Sequence, residues 1–171
     1  MKMKFILALA LTICIFACKE KEVKVAGLAY GLVGTFETIS TKPSELFQIL
    51  LSNYDNFKET TTAIISQTGM NTHRMQIQTI GTARKGLSTP VNYGFTADMN
   101  CQYINSNEIS RMYSCRGKYS DLTPYNTQLD NVNRNIESYL TLSGYDLQIL
   151  ATIHYDEDMA GILISTLKKT K

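Results

Sequence analysis

His154, Asp156 and Asp158 form the densest run of side chains able to bind a metal or exchange protons in this 171-residue chain. An imidazole and two carboxylates at alternate positions suit a divalent cation, but they leave its shell incomplete without ligands from elsewhere. Aspartates beside a strand end also build hairpin turns by accepting backbone hydrogen bonds, and the pattern favours that reading. There are two histidines, His73 and His154, and no Gly-x-Ser-x-Gly elbow, His-Glu-x-x-His pair or phosphate-cradling glycine loop. No metal, cofactor or catalytic set is therefore expected. Tyrosine is the remaining chemistry, and eight of the ten lie from Tyr93 onward. Tyr93, Tyr103, Tyr113, Tyr119, Tyr145 and Tyr155 share the buried parity of their predicted strands. A phenol ring can stack on a sugar or anchor a protein surface, and it also fills a half-buried strand face. Tyr93, Tyr103 and Tyr113 are the candidate binding residues.

Cysteine carries the other reactive chemistry. Met1-Lys2-Met3-Lys4 precedes a run from Phe5 to Ala17 that only Thr12 and Cys14 interrupt, and Lys19-Glu20-Lys21-Glu22 ends it. A basic start, a short apolar stretch and a small residue before the cut make a secretory signal. The run is short of the roughly 20 apolar residues that a bilayer span needs. Ile15-Phe16-Ala17-Cys18 resembles the lipobox of bacterial lipoproteins, in which an aliphatic and a small residue precede the modified cysteine. Cys14 follows Ile13, which is bulky where that family's peptidase requires Gly, Ala or Ser. Phe16 is larger than the family usually carries. The resemblance implies that residues 1–17 are a cleaved signal helix and that Cys18 becomes the mature N-terminus. Cys18 would then bear a thioether diacylglycerol and an amide-linked, palmitate-class chain, with residues 18–24 as a short tether. Two or three such chains hold a protein to a membrane permanently. Family members with Asp after the cysteine stay in the inner membrane; Lys19 here implies the outer membrane, with the domain exported toward the periplasm.

Export also changes what the remaining thiols mean. Cys101 and Cys115 are a leftover pair in an oxidising compartment, spaced as neither a zinc knuckle nor a redox Cys-x-x-Cys, so a disulfide is expected. Losing Lys2 and Lys4 with the leader takes Lys+Arg from 17 to 15, against 15 Asp+Glu. A nucleic-acid binder needs clustered positive charge, so this neutral domain is not expected to be one.

The elements that would position these groups follow from periodicity. Residues 25–39 alternate, with Leu28, Tyr30, Leu32 and Phe36 on one parity and Gly27, Ala29, Gly31 and Val33 on the other, which predicts a strand with one nearly bare face. Ser40-Thr41-Lys42-Pro43-Ser44-Glu45 supplies hydroxyl caps, a first-turn proline and an acid, predicting a helix continued by Leu46, Ile49, Leu50, Asn53 and Phe57. Strands are expected over Thr60–Ile65 and from Met75 to about Arg84. Val91 to Tyr103 alternates most cleanly of all and should pair with Ile109–Tyr119 as a hairpin. Setting Cys101 opposite Cys115 also sets Tyr103 opposite Tyr113 and Ala97 opposite Tyr119, so register and hydrophobic parity agree. Thr123-Pro124 opens a second predicted helix, with Leu129, Val132, Ile136, Tyr139 and Leu140 on its apolar face and Gly144 at its end. A final hairpin turns at Asp156-Glu157-Asp158.

The expected fold is α+β: a two-layer structure with two helices packed on one face of an antiparallel sheet, forming a single domain over residues 25–171. The expected function is a non-enzymatic binding or assembly module, anchored to the bacterial envelope through Cys18. Its partners would be the membrane and an envelope protein, glycan or lipid ligand. The alternatives are an envelope hydrolase built on a scattered acid pair, or an inhibitor of host or competitor enzymes that exposes the hairpin Asn105–Ile109.

Overall fold

From His73 to Ala83 every second side chain is buried and every intervening one is exposed. The computed structural model describes residues 31–48, 51–107, 109–121, 134–154 and 160–171. Its strands are β1 (Gly34–Ser40), β2 (Asn56–Gln67), β3 (Thr72–Arg84), β4 (Val91–Ser106), β5 (Arg111–Asp121), β6 (Arg134–Ser143), β7 (Asp146–His154) and β8 (Ala160–Lys169). One helical turn, α1 (Glu45–Gln48), lies between β1 and β2. Each strand pairs antiparallel with the next, and β8 returns to β1 to close a barrel. Alternation explains the closure: one parity of each strand is apolar, and curling the sheet on itself buries that parity while removing both free edges.

An eight-stranded barrel is just wide enough inside for side chains to fill it. Phe36, Met75, Phe95, Tyr119, Leu140 and Leu163 are among those buried there. One end is plugged. Phe47 of α1 and Leu51 beyond it are buried, and the Phe47 ring centre lies 5.0 Å from that of Tyr93 and 6.2 Å from that of Phe95. Gly81, opposite Tyr93 across β3 and β4, makes this possible, because a side chain there would collide with the tyrosine ring. The other end carries the β2–β3, β4–β5 and β6–β7 turns and the start of β1. Outward residues of β3 are chiefly polar: Arg74, Gln76, Gln78, Thr82 and Arg84. The packed apolar interior differs from the polar lumen of a membrane-spanning barrel, while the outer wall mixes such polar residues with exposed Ile64, Ile80, Tyr139, Leu150, Ile162 and Ile164.

The two-layer α+β expectation is thus corrected to a closed β-barrel, because a sheet whose inner face is already covered by its own strands has no face left for two helices. The expected first helix shrinks to Glu45–Gln48, and Phe57 belongs to β2. Of the second, residues 122–133 lie outside the described residues, and Ile136, Tyr139 and Leu140 lie in β6. Ile136, Ser138, Leu140 and Leu142 are buried while Asn135, Glu137 and Tyr139 are exposed; a short segment with apolar residues four apart satisfies both periods. Gly144 has a φ of 60°, as expected at a helix end, but it serves the two-residue turn between β6 and β7, which also needs a left-handed first residue. The strand predicted from residue 25 begins at Gly34 among the described residues. The expected signal over residues 1–17, Cys18 and the expected tether lie outside them.

The central hairpin stands as expected. Cys101 pairs with Cys115, Tyr103 with Tyr113 and Ala97 with Tyr119, and the two sulfurs are 2.05 Å apart.

Candidate binding site at the barrel mouth

At the end opposite α1 the strands open on a cavity of about 380 Å³, lined by residues that include Leu32, Met70, His73, Tyr103, Arg111 and Tyr113. Its floor is a column of rings. His73, the second residue of β3, meets Tyr113 edge-on with centres 5.4 Å apart, and Tyr113 meets Tyr103 edge-on at 5.7 Å. Edge-to-face contact is the arrangement that the ring quadrupole favours. The pairing of Tyr103 with Tyr113 places those two rings side by side. The Tyr103 hydroxyl donates to Ser106 Oγ at 2.8 Å, and its backbone N–H donates to the Asn71 carbonyl at 3.0 Å. The β2–β3 turn and the β4 end are thereby tied together.

His73 is only 9% exposed, and its Nδ1 has no hydrogen-bond partner among the described residues. Burial holds the imidazole below its ordinary value, so it is neutral at neutral pH. A buried ring nitrogen without a partner is costly to leave so, and a ligand could supply the missing contact. Burial also pushes the Tyr113 phenol up, while Arg111 opposes that through its charge and a hydrogen bond. Arg111 lines the same cavity as Tyr113 and places a cation at its rim. Apolar walls, a neutral imidazole and a guanidinium suit a small amphiphile with an anionic head.

The plugged end is different chemistry. Glu59, on the inward parity of β2, is buried. Its Oε2 accepts from the Ser44 N–H at 3.0 Å and from Ser44 Oγ at 3.4 Å. Burial raises its carboxyl above the ordinary range, against the lowering effect of Ser44 and Tyr93. The Tyr93 phenol is raised in turn by burial and by the charge of Glu59. Although these two groups are close enough to influence each other, no partner of the Tyr93 hydroxyl among the described residues meets hydrogen-bond geometry.

Of the three tyrosines singled out from the sequence, the structure brings Tyr103 and Tyr113 together at the mouth and buries Tyr93 against the plug. Tyr145 is exposed in the β6–β7 turn rather than on a buried parity, and Tyr155 lies outside the described residues. His154 is exposed, and Asp156 and Asp158 lie outside the described residues. Sequence reasoning missed His73 and Arg111. Continuing the inward parity of Met75 and Ile77 back by one step would have placed His73 inside. A second cavity of about 420 Å³ lies on the outer face of β2–β5, lined by residues including Gln76, Thr96, Asp98 and Lys118. Its two charged groups are already engaged by neighbours: Arg74 grips Asp98 through two nitrogens, and Lys118 donates to Asn135 at 2.9 Å. The mouth is the better candidate for that reason. Comparison with family models, curated proteins and solved structures finds no match for this chain.

Proposed function

We propose that the chain is a bacterial envelope lipoprotein, anchored through Cys18, whose barrel is a non-enzymatic module that binds a small anionic amphiphile at its mouth. The observation that carries the binding half is the unpartnered, buried Nδ1 of His73, set beside the Tyr113–Tyr103 column and below Arg111. The leader and the lipobox-like Ile15-Phe16-Ala17-Cys18 support the anchor. Against the hydrolase alternative, the groups acting on the buried carboxyl of Glu59 are Ser44 and Tyr93 rather than a second carboxylate.

Two measurements test this function. Metabolic palmitate labelling should mark the wild type and not Cys18→Ser; an unlabelled wild type ends the anchor. Titration with a dansyl-labelled fatty acid should show binding that Arg111→Ala weakens about tenfold, the worth of one charge-assisted hydrogen bond. Undiminished affinity in that variant, or no binding by the wild type, ends the mouth site.

A second reading has its own support. Asn107 Oδ1 accepts from the Ile109 N–H at 3.0 Å, the Ser110 N–H at 2.8 Å and Ser110 Oγ at 3.0 Å. The hairpin tip is therefore pre-set, as an inhibitory loop would be. Inhibition of a lysozyme-type enzyme, lost when Asn107→Ala frees the tip, would favour it; no inhibition removes it.

A further inference from the structure

Turns normally carry Gly, Asn, Asp or Ser, but those at the mouth end each present a large apolar side chain. Met70 in the β2–β3 turn is 92% exposed, Ile109 in the β4–β5 turn 72% and Tyr145 in the β6–β7 turn 51%. Val33, just before β1, is 45% exposed at the same end. A single exposed apolar residue is ordinary; one on every turn of the same rim is a surface. The cations beside it are Arg111, Lys168, Lys169 and Lys171, against Asp146 and Glu37 among the described residues. Asp146 and Glu37 both face Lys168 across their strands, and Lys169 Nζ is held by the carbonyls of Gly31 and Val33, which leaves Arg111 and Lys171 as the cations without an acidic neighbour in the pairing among the described residues. Gly31 also lies at this end, lining the cavity and accepting from Lys169 Nζ at 2.9 Å. Cys18 is 13 residues before it, a reach of at most about 45 Å fully extended.

We propose that this rim docks on an anionic bilayer surface, with Met70, Ile109 and Tyr145 sunk into the headgroup boundary and the cavity opening onto the membrane. Apolar tips and basic neighbours on one face are what an interfacial surface requires; tyrosine is enriched at that depth, and each basic residue near anionic lipid adds attraction. Gly31, the first described residue, enters the barrel at this end. The docking deepens the function proposed above, because it bears on the same mouth, and it holds with or without the anchor at Cys18. It also names the source of the mouth's ligand, an amphiphile taken from the bilayer rather than from water.

The chain has no tryptophan, so a single introduced one reports depth without background. The full-length protein carrying Met70→Trp, Ile109→Trp or Leu87→Trp is mixed with phosphatidylglycerol–phosphatidylethanolamine vesicles whose acyl chains are brominated. Leu87 is fully exposed in the β3–β4 connection at the plugged end and serves as the control. Fluorescence at 70 and 109 should fall to about half, with that at 87 unchanged, if the rim enters the interface. Equal quenching at all three sites, stronger quenching at 87, or none anywhere overturns the docking. The same preparations are assayed for palmitate, which separates the two ideas. Mouth-only quenching without palmitate keeps the docking and removes the anchor; palmitate without mouth-only quenching does the reverse.

Discussion

At the plugged end of the barrel a buried carboxylate faces the N–H of Ser44 and a phenol, whereas at the mouth a buried imidazole faces the ring of Tyr113 and a cavity. Glu59 has partners supplied by the chain itself, and Phe47 and Leu51 seal it from water. His73 is nearly as deeply buried, yet its Nδ1 is left without one. The same inward parity of neighbouring strands thus yields a structural closure at one end and an open cavity at the other. Stability and binding should therefore separate by end.

The largest effect expected is from Phe47→Ala, which leaves a ring-sized void at the plug and should cost about 3–5 kcal/mol by urea unfolding. Below its transition the variant should bind the dansyl fatty acid as the wild type does. Loss of binding in parallel with stability would show that the ends are not independent. Replacing both Cys101 and Cys115 with Ser should cost about 3 kcal/mol, the chain-entropy worth of such a loop. Because that bridge lies one inward step from the Tyr103–Tyr113 pair, it should also weaken mouth binding several-fold, which Phe47→Ala should not. His73→Phe sharpens the contrast further. It keeps a ring against Tyr113 and removes an unpartnered polar atom, so stability should change by less than about 1 kcal/mol. Fatty-acid affinity should nonetheless fall about tenfold if Nδ1 contacts the ligand; equal affinity would leave His73 a packing residue.

The smallest effects are in pH, and they should oppose one another. The folded carboxyl of Glu59 lies above its ordinary value of 4.5, so the folded state holds that proton more tightly than the unfolded chain. Acidification through the window between the two values strengthens folding at the plug. The folded imidazole of His73 lies below its ordinary value of 6.5, so its contribution is complete above 6.5 and is lost as pH falls toward the folded value. Urea midpoints measured from pH 7 to 4 should show Glu59→Gln deleting the acid-side gain and His73→Phe deleting the acid-side loss. Variants that shift in the same direction would contradict the assignment.

The centre of this molecule was open to sequence reasoning and its ends were not. In the β4–β5 hairpin, strict alternation and one cysteine pair allow a single register, and Tyr103 meets Tyr113 as parity demands. In β6 the same logic failed, since Ile136 and Leu140 fit a helix as well as a strand, and the hydroxyl-rich stretch before α1 yields only one turn. Barrel closure is a relation between the first and last strands, and neither β1 nor β8 carries a local mark of the other. Of the site, the two tyrosines were visible because they lie within the hairpin. His73 and Arg111 begin their strands or stand one place inside, where alternation fades, and only the closed sheet brings them to one opening.

The closure of β8 on β1 has a consequence for how the molecule is made. Every other pairing joins neighbours in the chain, so hairpins can zip as soon as they emerge. This one joins Phe36 to Lys169 and Glu37 to Lys168, with Thr35 bonded to Thr170 and Lys171. A growing polypeptide is therefore an uncapped ribbon with two raw margins until residues 168–171 arrive, and such margins invite sticking to other chains. Residues 168–171 act as the latch that ends that exposure.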